Sequence, residues 1–165
     1  MVHNLNHLDH ATILCENPPP QTIITKADSG ASQHFFKHDD SDALNNCMPT
    51  MSGPYVRLPN DDIIQATHFG SLQLHPALSK KASTAHVFDG ITNSSLLSLG
   101  QLCDDNCIAV LDKNKMQVYK QNTIILSGTR NSNDGLWDIP VPTTSNAKTQ
   151  PTSHKWTSPS VNAIR

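Results

Sequence analysis

One acidic tripeptide in this sequence has the composition of a hydrolytic site. Asp28-Ser29-Gly30 follows the short β-prone run "TIITKA", and a carboxylate on a tight loop after a strand can bind a water molecule and take its proton. The useful arrangement is a pair of carboxyl groups that share one proton, because like charges placed that close cannot both ionise. The ionised group then activates water, while the protonated group donates a hydrogen bond to a carbonyl oxygen.

The residues that follow Asp28 suit this chemistry. Ser29 offers a hydroxyl that can orient the carboxylate or bond to a partner loop, and Ala31 is too small to crowd the centre. Gly30 lets backbone approach closely and offers its N–H to an acidic group. By itself, however, Asp-Ser-Gly is also an ordinary turn, since Asp bonds to its own backbone and Gly takes positive φ. The surrounding elements therefore have to decide between the two interpretations.

The elements that would position Asp28 are short strands. Residues 21–27 are rich in Ile and Thr, which favour a pleated strand. The segment 55–68 predicts a hairpin that turns at Pro59-Asn60-Asp61-Asp62, and "GSLQLH" alternates apolar and polar residues with the period of a half-buried strand. "TAHVF" predicts one more strand.

The second half of the chain continues this pattern. "TNSSLLSLGQLCDDN" predicts a short strand, a tight turn at Gly100 and a brief helix through 103–106. A hairpin turning at 112–115 follows, and then one or two strands around Gly128. Many short strands separated by frequent turns predict an all-β fold, either a small barrel or a sandwich.

Three motifs in this order resemble the peptidase region of copia-type LTR retrotransposons, within the retropepsin-like aspartic proteases. They are "ADSGASQHF", then "VRLPNDDIIQA" followed by "GSLQL", and finally "SSLLSLGQLCDDN". The downstream "KNKMQVYKQNTIILSGTRNSNDGLWDIP", with its Gly135-Leu136-Trp137, is similar to the start of the copia-type pre-integrase segment. The resemblance covers about residues 21–140.

This resemblance implies an architecture. The expected fold is all-β, a small closed barrel of the retropepsin-like acid protease type with one short C-terminal helix and extra C-terminal β-hairpins. We expect a flexible lead-in over residues 1–20, a protease domain over 21–110 and a β-hairpin extension over 111–140. Residues 141–165 are rich in Pro, Ser and Thr, which predicts a disordered tail.

The resemblance also implies an activity, that of an aspartic endopeptidase cleaving the element's own Gag-Pol precursor. The implied catalytic residues are Asp28, Ser29 and Gly30, and the expected substrate-binding residues are Ala31, Asn60, Asp61 and Asp62. Because Asp-Ser-Gly occurs once in 165 residues, the pair requires a homodimer with one Asp28 from each subunit. An extended polypeptide would lie between the subunits, and no cofactor or metal is expected.

Composition limits the partners and the compartment. The formal net charge is −2 and no dense Lys/Arg cluster occurs, so we expect no direct nucleic-acid binding by this segment. No apolar run approaches the ~18 residues that cross a bilayer, so we expect no membrane association. The N-terminus lacks the features of a secretory signal. These features predict an intracellular setting, and the resemblance implies a cytoplasmic location in the virus-like particle of a retroelement.

Two alternatives remain open. Lys26 stands two residues before Asp28, where retropepsins carry apolar residues, and the hairpin tip 60–62 replaces a Gly-rich flap. Both features favour a catalytically inactive structural or interaction module with the same fold. The second alternative is a zinc module built from Cys103 and Cys107 together with histidines. The helically spaced His3, His7 and His10 are a separate candidate for metal binding, with no Cys or Asp/Glu framework beside them.

Overall fold

The computed structural model of the chain describes residues 21–144. The predicted lead-in and all but the first four residues of the predicted tail lie outside this range. Within it, twelve short strands and two short α-helices alternate with turns. The strands are β1 Thr22–Asp28, β2 His34–Lys37, β3 Leu44–Pro49, β4 Tyr55–Arg57, β5 Ile63–Gln65, β6 His68–Leu72, β7 Thr84–Phe88, β8 Leu96–Ser98, β9 Ile108–Leu111, β10 Lys115–Lys120, β11 Thr123–Arg130 and β12 Trp137–Pro142. The helices are α1 Lys80–Ser83 and α2 Leu99–Cys103, and a 3-10 helix spans His38–Ala43.

The expected all-β class is confirmed, but the strands do not close into a barrel. Ten of them form one open, mixed sheet in the order β3-β6-β7-β2-β8-β1-β12-β11-β10-β9. β4 and β5 form a separate antiparallel hairpin. The sheet stays open because its edge strands, β3 and β9, each pair on one side only among the described residues.

Several predicted elements lie close to where the sequence placed them. β1, β7 and the β9–β10 hairpin agree with their predicted segments, and the 55–68 hairpin forms with a shorter return strand. The predicted "GSLQLH" strand ends at Leu72, so Leu74 falls outside it. The helix predicted at 103–106 begins earlier, at Leu99, because buried Ser98 caps it by accepting the Gln101 N–H. The elements β2, β3 and α1 were not predicted from the sequence.

The chain after residue 110 belongs to the same sheet as the chain before it. The predicted boundary between residues 110 and 111 falls within β9. β12 pairs with β1 from Thr22–Pro142 to Lys26–Asp138, beside the strand that ends in Asp28. β12 also extends two residues into the segment expected to be a tail. The expected extension therefore supports the central strand of the fold.

The position of β8 determines the course of the Asp28 loop. β8 lies between β1 and β2, parallel to the first and antiparallel to the second. The connection from β1 to β2, residues 29–33, therefore has to cross the end of β8. Asp28 pairs with Ser98 there, at the junction between β8 and α2. The "ADSG" and "LLSLG" motifs thus meet in space.

Two apolar clusters hold these parts together. The larger packs Phe36 and Leu97 from the centre of the sheet and Leu102 of α2 with Met116 and Ile139 from the C-terminal strands, all fully buried. The smaller cluster contains Ala31, Phe35, Ala66 and Phe88, and Val56 and Ile64 of the β4–β5 hairpin pack against it. The hairpin is therefore attached to the sheet immediately next to the Asp28 loop.

We expect Gly128→Ala to destabilise the fold by about 1–3 kcal/mol, because the packing around Gly128 leaves no room for a methyl group. A Cβ on Gly128 would lie 2.6 Å from the backbone oxygen of Asp138 and 3.0 Å from the Met116 side chain. The Asp138 oxygen belongs to the backbone of a paired strand, so moving it away from an added methyl group would cost free energy. Urea unfolding measures the change, with Gly100→Ala as the matched control.

The control has room for the added methyl group. A Cβ on Gly100 would meet nothing closer than 3.7 Å, and Ala suits its helical position better than Gly. Gly100→Ala should therefore leave stability unchanged or slightly raised. Equal stability of the two variants would contradict the packing between β11 and β12 described above.

Candidate active site

Asp28 is held by the backbone of its own loop. It is the last residue of β1, and its Oδ1 accepts hydrogen bonds from the N–H of Gly30 at 2.7 Å and of Ala31 at 3.1 Å. Both donors come from residues that the sequence assigned to the site. A Cβ at position 30 would lie 3.3 Å from this same oxygen, so the turn favours glycine. The two bonds orient the carboxylate.

Ser98 fastens the loop to α2. Its buried hydroxyl donates to the Ala31 carbonyl at 2.5 Å and accepts from the Gln101 N–H at 3.0 Å. One side chain therefore caps the helix and bonds to the Asp28 loop. The Ser98 N–H donates to Nδ1 of His34, at the other end of the loop, at 2.9 Å.

His34 and Gln101 complete this buried network. His34 Nε2 donates to the Ala82 carbonyl at 2.9 Å, and the His34 N–H donates to Gln101 Oε1 at 2.8 Å. Because Nδ1 accepts from Ser98, the imidazole is assigned as the neutral form protonated on Nε2. Burial lowers the pKa of His34 to about 4, and the charge of nearby His86 adds to the lowering. A neutral histidine with both ring nitrogens hydrogen-bonded thus supports the Asp28 loop.

Asp28 lies in a groove of about 950 Å³. Its walls come from four parts of the chain: the Asp28 loop with the flanking strands β1 and β2, the β4–β5 hairpin, the segment 90–96 and the loop between β11 and β12. Much of the lining is apolar, and its largest apolar side chains are Phe35, Val56, Leu58, Ile91, Leu96 and Leu136. A channel of this size beside an ordered carboxylate can accept an extended chain with apolar side groups.

The hairpin tip brings two of its three predicted residues to the groove. Asn60 and Asp62 line it, and the Asn60 amide donates to Asp62 Oδ2 at 2.6 Å. Asp61 does not line it. That residue takes a left-handed backbone (φ 67°), and its carboxylate lies 3.4 Å from the Arg57 guanidinium on the exposed surface. Arg57 itself lines the groove, although the sequence had not marked it.

The remaining predicted residues divide in the same way. Gly30 and Ala31 line the groove together with Asp28, whereas Ser29 does not. Ser29 lines a smaller adjoining cavity of about 280 Å³, whose apolar wall includes Leu99, Leu111 and Trp137. The structure therefore brings together five of the seven predicted site residues and places Ser29 and Asp61 just outside.

Lys26 is engaged away from Asp28. Its ammonium nitrogen lies 2.5 Å from Asp134 Oδ2 and 2.5 Å from Asp138 Oδ1. The hydrogen bonds that Lys26 donates to Asp134 and then to Asp138 raise the pKa of Lys26, and the bond from Lys26 lowers the pKa of Asp134. The positive charge that favoured an inactive module is therefore paired with two carboxylates.

Sequence reasoning missed the residues that reach the site from far along the chain. Ser98 carried a usable signal, because a serine directly before a short helical segment is a typical N-cap. Asp134 and Leu136 carried none, since Asp134 bonds to Lys26 across 108 positions. Arg57 and Leu58 were predicted only as strand residues.

The described residues offer little support for the zinc alternative. Across 21–144, no three His, Cys, Asp or Glu side chains are grouped so that they could hold a metal ion. Cys103 is exposed and Cys107 is buried, both as free thiols. His3, His7 and His10 lie outside the described residues. In the same range, no helix has the length and apolarity needed to cross a bilayer.

Comparisons with protein-family models, with curated proteins and with solved structures found no match to this chain. Its function is accordingly inferred from the residues and the geometry described above.

Proposed function

We propose that this chain is an aspartic endopeptidase of a copia-type retrotransposon polyprotein that cleaves the element's own Gag-Pol precursor. The observation that carries the proposal is the setting of Asp28. A carboxylate oriented by two backbone N–H groups lines a groove that the β4–β5 hairpin also lines, with room for an extended peptide. The contact between the Asp28 loop and Ser98 of the "LLSLGQL" motif adds support, because it joins two motifs on which the resemblance rests.

The second carboxylate has to come from another copy of the chain. Besides Asp28, the acidic residues that line the groove are Asp62 and Asp134. Asp134 is bonded to Lys26, and Asp62 accepts from Asn60 at the hairpin tip. Neither stands on a loop equivalent to that of Asp28. A two-fold axis that places two identical loops face to face supplies a matched pair, which is the simplest arrangement for shared-proton chemistry.

In the proposed mechanism, the two Asp28 carboxyl groups share one proton and hold a water molecule between them. The ionised group takes a proton from the water as it attacks the peptide carbonyl carbon. The protonated group donates to the carbonyl oxygen, giving a tetrahedral intermediate that collapses when the leaving nitrogen is protonated. This is the established logic of aspartic peptidases, and the pair titrates as one unit.

The substrate is proposed to be an extended polypeptide between the two subunits. Its backbone would pair in strand fashion with the Ala31 side of the groove and with the hairpins, and alternate side chains would enter the pockets. Val56, Ile91 and Leu96 supply apolar wall to this groove. We propose the finer retropepsin-like architecture and a cytoplasmic, particle-associated location as parts of the same hypothesis.

The dimer requirement gives a direct test of this proposal. Cleavage rate per subunit should fall as the protein is diluted through its dissociation range, because the site exists only in the dimer. Initial rates on a peptide library, taken with sedimentation at the same concentrations, measure this. If the cleavage rate per subunit stayed constant at concentrations where sedimentation shows monomers, this would contradict the shared site. A dimer that cleaves nothing would favour the inactive structural or interaction module.

A further inference from the structure

The positive charge of Lys26 could interfere with the proton sharing proposed for Asp28. The two residues lie two positions apart on β1, so their side chains project from the same face of the sheet, and both line the groove. A flexible lysine side chain in that position is long enough to reach the carboxylate. An ammonium group beside Asp28 would favour its ionised form and would oppose the sharing of a proton between two such groups.

The observed geometry prevents that contact. Asp138 is the cross-strand neighbour of Lys26 in the β1–β12 pair, and Asp134 approaches from the loop between β11 and β12. Each of these carboxylates is itself fixed by its second oxygen. Asp134 Oδ1 accepts from the Leu136 N–H at 2.9 Å, and Asp138 Oδ2 accepts from the Asn131 amide at 2.8 Å. The lysine is thus bound by two acceptors that cannot easily follow it toward Asp28.

Few other charges face this end of the groove. The β4–β5 hairpin contributes Arg57, which lies against Asp61, and Asp62 at its tip. The segment 90–96, which leads into β8 on the other side of β1, contains no titratable residue. β12 and the loop before it contribute the two carboxylates already described. The charge nearest to Asp28 along its own strand is therefore that of Lys26, and its partners determine where that charge lies.

We propose that Asp134 and Asp138 are positioning residues that hold the Lys26 ammonium away from Asp28, so that the paired Asp28 carboxyl groups can share a proton. The inference rests on the proposed function. It assigns a role to the loop between β11 and β12, which lies beyond the segment that the sequence had marked as the protease domain. It also explains how a lysine can stand so close to a carboxylate of this kind.

The test follows the titration of Asp28 in two opposed variants. The double variant Asp134→Asn/Asp138→Asn keeps the side-chain shapes but removes both charged partners of the Lys26 ammonium. The pH profile of kcat/KM should then move to lower pH by about one unit. Lys26→Met removes the ammonium and leaves two carboxylates, and should move the profile to higher pH. Asp134→Asn alone, in the more exposed of the two carboxylates, should give a smaller shift to lower pH if the double variant folds poorly.

A second readout separates this inference from the peptidase proposal. The carboxyl ¹³C shift of Asp28 followed against pH by NMR should move in the same directions, whether or not the protein cleaves peptides. The control is Asp105→Asn, which frees Lys120 from an equally short ion pair outside the groove and should change neither readout. An Asp28 titration that is the same in all these proteins would overturn the inference. Absent cleavage with a responsive titration would overturn only the peptidase proposal.

Discussion

Asp28→Asn is expected to lower peptide cleavage by about 10²–10⁴-fold, the usual range for loss of a general acid–base group. In the proposed homodimer, the amide could neither take a proton from water nor share one with its counterpart in the other subunit. Folding should be preserved, because the amide oxygen can still accept from the N–H groups of Gly30 and Ala31. Cleavage of a broad peptide library by wild type and variant, at several pH values and at matched dimer concentration, measures the effect.

The chain contains a close structural match to serve as control. Asp112 Oδ1 also accepts two backbone N–H groups, from Asn114 at 2.8 Å and Lys115 at 2.8 Å, but Asp112 does not line the groove. Asp112→Asn therefore makes the same chemical change in the same kind of turn and should leave cleavage unchanged. Full cleavage by Asp28→Asn would remove Asp28 as the catalyst. Equal losses in both variants would point to folding instead.

Stability is expected to fall by about 3 kcal/mol as the pH drops from about 6.5 to about 4, because of His34. Its pKa is lowered on folding, mainly by burial, so the folded state holds the neutral imidazole while the unfolded chain takes up a proton. The stabilising contribution is therefore complete above the unfolded pKa and is lost as the pH falls toward the folded value. His86, whose pKa burial also lowers, acts in the same direction.

Urea unfolding at several pH values tests this expectation. His34→Asn retains an acceptor near the Ser98 N–H and cannot ionise, so it should be less stable at neutral pH but should lose less on acidification. The control, His38→Asn, removes an exposed histidine outside this network and should leave the loss assigned to His34 in place. An unchanged slope in His34→Asn, or a wild type equally stable at both ends of the range, would refute the role of His34.

This dependence would bear on activity as well. His34 terminates the Asp28 loop and bonds to Ser98, which holds Ala31. Protonation of the imidazole would remove the acceptor that the Ser98 N–H uses. The acid limit of cleavage would then reflect loosening of the loop in addition to titration of the paired carboxyl groups, and the unfolding curves separate the two causes.

Much of the fold was accessible from local patterns. The β-prone run before Asp28, the hairpin turning at 59–62 and the hairpin turning at 112–115 all depend on residue preferences within a few positions. The helix after "LLSL" was expected too late in the chain, because its start depends on the buried cap at Ser98. The strands β2 and β3 were missed, since they gain their stability mainly by pairing with the distant β7 and β6.

The sequence by itself indicated a turn at Asp28 with the backbone N–H of Gly30 available to an acidic group, and a hairpin over residues 55–68. These features depend on short-range geometry, which a few neighbouring residues specify. Only the tertiary structure decided that the sheet is open, that the hairpin and the loop between β11 and β12 border one groove, and that Lys26 faces Asp134 and Asp138. Those outcomes depend on contacts between residues as far as 120 positions apart, such as the Thr22–Pro142 pair of β1 and β12, and local preferences do not specify such contacts.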